Sequence, residues 1–329
     1  MMNQPLKLRT DLLKPFFFII NPEARNKGSK KVWEEVEGIL QAKGVPYHYY
    51  FTERKGHALE LARKIWMENK EKTWVIAVGG DGTLHEVIHA AAGLEHAMVG
   101  CVPAGSGNDF SRGIQQTASA KEVMKLLLES AALPSCRIDA GVFETGSKHG
   151  FFVNSIGIGF DAEITYEAEH SLWKKRFNAL KAGKLIYLIT FIKKLFTYKR
   201  ADMEVIIDGK HYSFRRVWFV VAANQPYFGG GIKISPHASP YDRQLNILAV
   251  HDLSHIKLLF IFITVFWGGH LKLKNVESFT GETMTIRSAQ DSLIQADGEI
   301  IGTKELSVSL ASDQISVLAK KALKKNEEG

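Results

Sequence analysis

Hydrophobic positions in the first 140 residues alternate between short solid runs and runs with helical spacing. The runs at 16–20, 74–78 and 97–102 are almost wholly apolar, which is typical of strands buried on both faces. Residues 29–43 and 57–69 repeat apolar positions at helical spacing, while "YHYYF" at 47–51 is aromatic and strand-like. Strands that alternate with helices predict a parallel sheet, which binds ligands beyond the carboxyl ends of its strands.

The pattern changes near residue 138, after which short alternating strands are separated by glycine-rich turns such as "GGG" at 229–231. These signals predict an antiparallel β domain, interrupted by helical spacing at 171–198 and 254–267. We therefore predict an α/β domain over residues 1–138 and an antiparallel β-sandwich-like domain over 139–310. We expect the segment 311–329 to form a helix that packs on the first domain.

The cysteine content and the lengths of the apolar runs indicate the cellular compartment of the protein. Two cysteines, Cys101 and Cys136, are too few for a disulfide scaffold and fit reduced thiols in a cytoplasmic protein. The N-terminus lacks the pattern of a signal peptide. The longest later apolar run, 258–267, is about half of what a membrane-spanning helix needs. We expect no transmembrane segment.

The basic excess is concentrated in one segment. The net charge is +7, but residues 171–200 hold nine Lys and Arg and no Asp or Glu, so the rest of the chain sums to −2. A solvated helix face would account for part of this charge. The aromatic residues Trp173 and Phe177 beside it favour peripheral contact with an anionic membrane surface. No nucleic-acid-binding motif accompanies the charge, so we expect no nucleic-acid partner.

The stretch "GGDGTLHEV" follows the strand predicted at 74–78. Its glycines allow a sharp turn and a close backbone approach to a ligand, and the helix behind it offers N–H groups to a phosphate. Thr83 and Glu86 match a capping box, which predicts Thr83 as the helix N-cap. Asp81 would not face a bare phosphate, so we expect Mg²⁺ or water between them.

The same stretch contains "HEVIH", the letters of a zinc-protease helix. That interpretation would make His85 and His89 ligands and Glu86 the base. The extended zinc-protease pattern fails, because Ala92 and Glu95 stand where Gly and His belong. The capping box already explains Glu86, so we interpret the match as a coincidence.

Two further turns are candidates. "VPAGSGNDFSRGI" at 102–114 is a second glycine-rich turn after a strand, with a capping pattern from Ser106 to Asp109. Because both turns follow strands of one parallel sheet, we expect them to converge at one edge. "QADGEI" at 295–300 has the Asp-Gly pair of a hairpin turn, which by spacing alone is its simplest interpretation.

Taken in order, "NP", "FTERKGHALELA", "GGDGTLHEV", "PAGSGNDFSR" and "QADGEI" resemble the diacylglycerol kinase catalytic-domain family, especially the bacterial lipid kinases related to sphingosine and ceramide kinases. The resemblance covers about residues 16–310. It implies ATP contacts from the following residues: Asn21, Pro22, Arg25, Thr52, Gly79, Gly80, Asp81, Gly82, Thr83, Glu86, Ser106 and Asn108.

The resemblance also implies roles in catalysis. Asp81 would organise Mg²⁺ and the phosphates, and Asp297 would be the general base on the lipid hydroxyl. A magnesium turn would use the Asp242 carboxylate with the carbonyls of Ser239 and Gln244. Two positions depart from the family pattern: Arg243 stands where that turn usually has glycine, and "NPEARNKGS" lacks an early glycine.

The implied activity is an ATP- and Mg²⁺-dependent lipid kinase that phosphorylates the hydroxyl of a lipid such as diacylglycerol. Another glycerolipid, a sphingoid base or an undecaprenol-type alcohol would offer the same chemistry. The alternatives are an NAD kinase-like phosphotransferase, which would ignore lipids, and a lipid-binding relative without turnover.

Overall fold

The computed structural model describes residues 14–24, 28–105, 107–114, 119–130, 135–170 and 183–319. The chain forms two compact units. The first comprises residues 1–105, 115–136 and 315–329, and the second comprises 106–114 and 137–314.

The strands are β1 (Phe16–Ile20), β2 (Tyr47–Phe51), β3 (Thr73–Gly79), β4 (Ala97–Pro103), β5 (Cys136–Thr145), β6 (Lys148–Phe152), β7 (Ser155–Gly159), β8 (Ala201–Ile207), β9 (Lys210–Ala223), β10 (Leu245–His251), β11 (Val276–Gly281), β12 (Thr283–Ser288), β13 (Leu293–Ala296), β14 (Glu299–Thr303) and β15 (Glu305–Val317). The helices are α1 (Gly28–Lys43), α2 (His57–Glu68), α3 (Asp81–Ala91), α4 (Asp109–Gly113), α5 (Ala120–Ser130), α6 (Phe160–His170), α7 (Gly183–Thr197) and α8 (His255–Thr264), with a 3-10 helix at Gly269–Lys272.

The first unit contains a parallel sheet in the order β2-β1-β3-β4. Ser316 and Val317 at the end of β15 extend it by pairing in parallel with β4. Alternate residues of β1 and β3, including Phe18 and Ile76, pack against Trp33 of α1 and Leu127 of α5. The predicted parallel α/β arrangement is confirmed.

The second unit is antiparallel, in the order β14-β13-β7-β9-β8-β12-β15, and β9 also pairs with β10. Its long strand β9 separates two apolar clusters. Val217, Val220 and Ala222 face one cluster. Trp218 and Val221 face the other, which α6, α7 and α8 cover. This strand alternation is the period-2 pattern that predicted the β domain.

Two elements differ from the prediction. The stretch "FFVNSIGIGF" at 151–160 has the pattern of a strand up to Phe160, but the strand ends at Gly159, which has a φ of +114° that favours glycine, and α6 begins at Phe160. The helix predicted over 311–329 is wrong for 311–317, because β15 continues to Val317 and pairs with β4. Residues 320–329 of that prediction lie outside the described residues.

Candidate active site

Three strands of the first unit end side by side where the first glycine turn begins. Asn21, just after β1, donates its backbone N–H to Val78 O of β3 at 3.0 Å. Thr52, just after β2, donates to Ile20 O at 2.8 Å, and Ala104, just after β4, donates to Gly79 O at 2.7 Å. The candidate residues at 21, 52 and 79 therefore lie at one edge of the sheet.

The Asn21 side chain links this edge to α3. Its Oδ1 accepts the N–H of Glu23 at 3.0 Å, which folds the Asn-Pro turn back on itself, with Pro22 half-buried in it. Its Nδ2 donates to Thr83 Oγ1 at 3.1 Å. The turn is thus held next to the start of α3 without an early glycine. Arg25, predicted to contact ATP from this loop, lies outside the described residues.

Gly79 and Gly80 are required by close packing. A Cβ on Gly79 would lie 2.7 Å from Thr83 Oγ1, and a Cβ on Gly80 would lie 3.2 Å from Gly105 Cα. The contact with Gly105 confirms that the second turn, where it leaves β4, lies against the first. The turn leads directly into α3, whose first backbone N–H groups have no partner within the helix.

The helix begins three residues earlier than the capping box predicted. Its N-cap is Gly80, which makes no side-chain cap, and its first residue is Asp81. Thr83 is therefore the third helical residue; it is buried and bonded to Asn21. The predicted N-cap is wrong because the sharp Gly-Gly turn reaches helical geometry immediately. Asp81 and Gly82 consequently stand in the first turn, where N–H groups bind phosphate.

Glu86 caps a different helix. Its Oε1 accepts the N–H of Gly56 at 2.8 Å and its Oε2 accepts that of Ala58 at 3.0 Å. A carboxylate at the N-terminus of α2 stabilises its dipole and its unpaired N–H groups. The role predicted for Glu86 in a capping box of α3 is therefore wrong: its carboxylate caps α2 and fixes the loop that follows Thr52.

His85 and His89 contact each other, with their Nε2 atoms 2.8 Å apart. Glu86 does not serve them as a base, because its carboxylate is bonded to the backbone of α2. In the part of the chain that the structure describes, no group of three His, Cys, Asp or Glu side chains could hold a metal ion.

The later part of the second turn belongs to the second unit. Asn108, at a φ of 57°, is the N-cap of α4, so the cap predicted at Ser106 is wrong; Ser106 itself lies outside the described residues. Asp109 is buried, and its carboxylate accepts the N–H of Gly230 at 2.6 Å and an N–H of Arg112 at 2.5 Å. The "GGG" turn and the "GND" turn are therefore held together.

Asp297 occupies the predicted hairpin turn between β13 and β14. Asp297 and Gly298 both have positive φ, 46° and 87°, as a tight type I′ hairpin requires. The Asp297 carboxylate accepts three backbone N–H bonds from consecutive residues: Val153 at 2.8 Å, Asn154 at 2.8 Å and Ser155 at 3.0 Å. The hairpin interpretation and the proposed role of the carboxylate are therefore compatible.

The predicted magnesium turn keeps its shape despite Arg243. Arg243 adopts a φ of +60°, the conformation that glycine would take most easily. Its guanidinium pairs with Asp313 at 2.9 Å, and Asp242 Oδ1 accepts the N–H of Gln244 at 3.1 Å. The Asp242 carboxylate and the carbonyls of Ser239 and Gln244 are hard oxygen donors, the type that Mg²⁺ prefers.

Asp139 is a residue that sequence reasoning missed. It is buried, and its two carboxylate oxygens accept the N–H groups of Arg243 and Asp313, both at 2.9 Å. Its own N–H donates to Pro240 O at 2.9 Å. It thereby organises the backbone of the turn predicted to bind magnesium. The available signal was one carboxylate inside the apolar run "RIDAGVF".

The structure changes the interpretation of the basic segment. Residues 171–182 lie outside the described residues, but in α7 Lys194 pairs with Glu163 at 2.6 Å and Glu167 at 3.2 Å. Hydrogen bonds from Lys194 and then Lys193 lower the pKa of Glu167. Arg200 bonds to Leu253 O at 2.7 Å and lies over Trp218. Among the described cations of this segment, Lys193, Lys194 and Arg200 therefore have partners that lie outside the segment.

Helices α7 and α8 and the turn that follows α8 also expose large apolar side chains. Phe196 is 68%, Phe260 65% and Trp267 64% exposed. The two helices contact each other through Phe191 and Phe262, whose rings are 4.1 Å apart. We name the following exposed set the apolar face: Ile189, Ile192, Phe196, Ile256, Leu259, Phe260, Ile263, Phe266 and Trp267. Among the described residues, no helix is both long and apolar enough to cross a membrane.

Family models match both parts of the chain. The diacylglycerol kinase catalytic domain matches residues 15–136, and the YegS C-terminal NAD kinase beta sandwich-like domain matches 154–319. A relative named "Putative lipid kinase YtlR" from Bacillus subtilis (strain 168) is 31% identical over 88% of this chain and 94% of its own. A diacylglycerol kinase of Staphylococcus carnosus (strain TM300) is 24% identical over 94% of this chain and 96% of its own.

The fold has a solved counterpart. A crystal structure of a diacylglycerol kinase from Bacillus anthracis str. Sterne superimposes with a TM-score of 0.70 at 18% identity, covering 94% of this chain and 98% of that one. With the sequence matches, this places the chain in a defined class: it belongs to the diacylglycerol kinase family of bacterial lipid kinases, and it is a kinase.

Proposed function

We propose that the protein transfers the γ-phosphate of Mg²⁺-bound ATP to a primary hydroxyl of a membrane lipid, with diacylglycerol as the first candidate. The observation that carries this proposal is the Asp297 turn, which fixes one carboxylate with three backbone N–H bonds. The relatives named diacylglycerol kinase support the substrate class.

In this proposal the first unit binds ATP. The N–H groups at the start of α3, from Asp81 to Thr83, bind phosphate oxygens, and the absence of side chains on Gly79 and Gly80 lets the backbone turn tightly there. Asn21, Pro22, Arg25 and Thr52 complete that side, and the family resemblance also implies ATP contacts from Ser106 and Asn108. Glu86 acts indirectly, since it holds the loop after Thr52.

Phosphoryl transfer requires positioning and charge neutralisation more than covalent work by the protein. Asp297 would accept the proton of the lipid hydroxyl, and the three N–H donors hold its carboxylate in a fixed position for that role. Mg²⁺, when bound, would neutralise phosphate charge. Asp81 would help to hold it, and the turn of Ser239, Asp242 and Gln244 would hold a second ion.

The proposal includes action at the membrane surface, through the apolar face. Residues 253–276 contain three lysines, Lys257, Lys272 and Lys274, and no Asp or Glu. Apolar and aromatic side chains beside cations fit the interface of an anionic bilayer. The sequence-based prediction relied on electrostatic attraction between the basic segment 171–200 and the membrane. Here the apolar face makes the main contact, because Lys193, Lys194 and Arg200 already have internal partners.

The second candidate is an NAD kinase-like phosphotransferase, favoured only by the NAD kinase-like sandwich in the description of the C-terminal match. The relatives named as lipid or diacylglycerol kinases match across both halves of the chain, which favours a lipid acceptor.

The test uses γ-labelled ATP with a total membrane lipid extract, and NAD in a parallel reaction. We expect label in lipid and none in the dinucleotide. Asp297→Asn should reduce lipid labelling by about a hundredfold or more, the usual contribution of a general base. Asp291→Asn, an exposed residue of the same unit, is the matched control. Labelled NAD, unlabelled lipid, or an Asp297→Asn variant as active as the wild type would each contradict the proposal.

A further inference from the structure

A buried polar chain lies behind the Asp297 turn. Asp161, in the first turn of α6, has only 6% of its surface exposed. Its Oδ2 accepts an N–H of the Gln295 side chain at 3.1 Å, and Gln295 Oε1 accepts the backbone N–H of Gly298 at 2.9 Å. Gln295 is itself 2% exposed. This series of hydrogen bonds ends at Gly298, the residue that follows Asp297.

The surrounding backbone is shaped to admit this carboxylate. Gly157 of β7 pairs with Gln295 of β13 across the sheet. A Cβ on Gly157 would lie 2.1 Å from Asp161 Oδ2, so only glycine leaves room for the carboxylate at this point. Asp161 therefore reaches Gln295 through a gap in the side chains of β7.

The buried Asp161 carboxylate lowers the stability of the folded state. Burial raises the pKa of Asp161 to about 6. Among the described residues, its Oδ1 has no hydrogen-bond partner. A buried charge with incomplete hydrogen bonding costs free energy, and such groups concentrate at functional sites.

An ionised Asp161 would determine which way the Gln295 amide points. A carboxylate can only accept hydrogen bonds, so it requires Gln295 to turn its NH₂ group toward it. The Gln295 carbonyl must then face the opposite way, where it meets the N–H of Gly298. An uncharged residue at 161 would allow both amide orientations, and one of them would place two N–H groups against each other.

We infer that Asp161 and Gln295 are positioning residues for the proposed phosphoryl transfer, acting as a relay that holds the Asp297 turn in its reactive conformation. On one side the turn is held by the N–H groups of residues 153–155, and on the other by this relay. The inference rests on the proposed function for its catalytic consequence, although the relay itself is a property of the fold.

The kinetic test measures kcat with saturating lipid, and KM for ATP. Gln295→Met removes both hydrogen bonds at similar volume, and we expect kcat to fall at least tenfold while KM for ATP changes less than twofold. Asp161→Asn can still accept from Gln295, so we expect a two- to fivefold loss. The double variant should match Gln295→Met alone, because both residues act through one contact. Gln314→Met is the matched control, since its amide bonds only to Ser312 O.

A second measurement separates the relay from the kinase activity. Amide hydrogen exchange at Gly298 should be slow in the wild type and at least tenfold faster in Gln295→Met, whether or not the assay labels lipid. If exchange at Gly298 is unchanged, or if the kcat effects of the two variants multiply in the double variant, the relay is wrong. If exchange at Gly298 behaves as expected but the wild type transfers no phosphate to lipid, the proposed function is wrong. The catalytic role of Asp161 and Gln295 is then wrong as well, and their hydrogen bonds have a structural role alone.

Discussion

Carboxylates that look alike in the sequence have different tasks in the structure. Glu86 neutralises the start of α2, Asp109 holds the N–H of Gly230, and Asp139 organises the turn around Arg243. Backbone N–H groups are the main partners of these three side chains. Asp161 differs from them because, among the described residues, one of its oxygens has no hydrogen-bond partner, and because burial raises its pKa to about 6.

The Asp161 pKa predicts a pH-dependent stability. The folded value of about 6 is above the ordinary value of 3.8, so the folded state holds the proton more tightly between these values. The group's stabilising contribution is complete below pH 3.8 and is lost as the pH rises through about 6, a loss on the order of 3 kcal/mol. Burial and then the charge of Asp161 raise the pKa of Tyr198, and Glu163 and Glu167 on the helix of Asp161 are paired with Lys194.

We therefore expect Asp161→Asn to be more stable than the wild type at pH 7.5 and equal to it near pH 4. Denaturant unfolding midpoints at the two pH values measure this difference, with Asp291→Asn as an exposed control. A variant that is less stable than the wild type at pH 7.5 would show that the charge itself supports the fold.

Arg243 yields a prediction about backbone conformation. Because its φ is +60°, Arg243→Gly should keep the turn, and the lost exposed pair with Asp313 is worth about 0–1 kcal/mol. Arg243→Val should distort the turn, since a β-branched residue is a true outlier at positive φ. If the turn binds Mg²⁺, the half-saturating Mg²⁺ concentration should stay within about twofold for glycine and rise for valine. Equal behaviour of the two variants would remove this turn from the magnesium site.

Among the helices and strands, the sequence predicted the bounds best in the first part of the chain, where strands and helices alternate. The bounds of β1, α1, β2 and α2 match the apolar patterns to within one residue. It failed where a side chain acts on a distant element, because no local rule links Glu86 to Gly56 or Asp109 to Gly230. It also missed α6, since "GIGF" continues the strand pattern until Gly159 turns the chain.

The start of α3 gives a prediction that separates stability from ligand binding. A Cβ on Gly82 would meet nothing within 4 Å, so Gly82→Ala should stabilise the helix by up to about 1 kcal/mol. If phosphate binds at the same N–H groups, the added methyl group should raise the KM for ATP several-fold. Gly38→Ala in α1 also meets nothing and should gain stability with an unchanged KM. An unchanged KM in Gly82→Ala would argue against phosphate at α3.

At the scale of the whole molecule, each unit has its own assignment. The first unit carries the parallel sheet and the glycine turn at its edge, and the second carries Asp297 and the apolar face. The two-part architecture could be predicted from the change of pattern near residue 138. The apolar face could not, because helical spacing does not tell which side of α8 remains uncovered.

Membrane binding should depend on that face. Phe260→Glu replaces a 65% exposed side chain, so the fold should tolerate it while sedimentation with vesicles of an anionic phospholipid falls at least fivefold. Met67→Glu, at a 70% exposed position in α2, is the matched control and should bind as the wild type does. Equal binding of the two variants would exclude the apolar face as the docking surface.

In the proposed reaction, Asp297 accepts the proton of a lipid hydroxyl during phosphate transfer from ATP. An assay of phosphatidic acid formed from ATP and diacylglycerol in anionic vesicles, together with ATP affinity by calorimetry, tests this role. We expect Asp297→Asn to bind ATP within about threefold of the wild type and to form product at least a hundredfold more slowly. Product formed at the wild-type rate by Asp297→Asn, with ATP bound equally well, would contradict it.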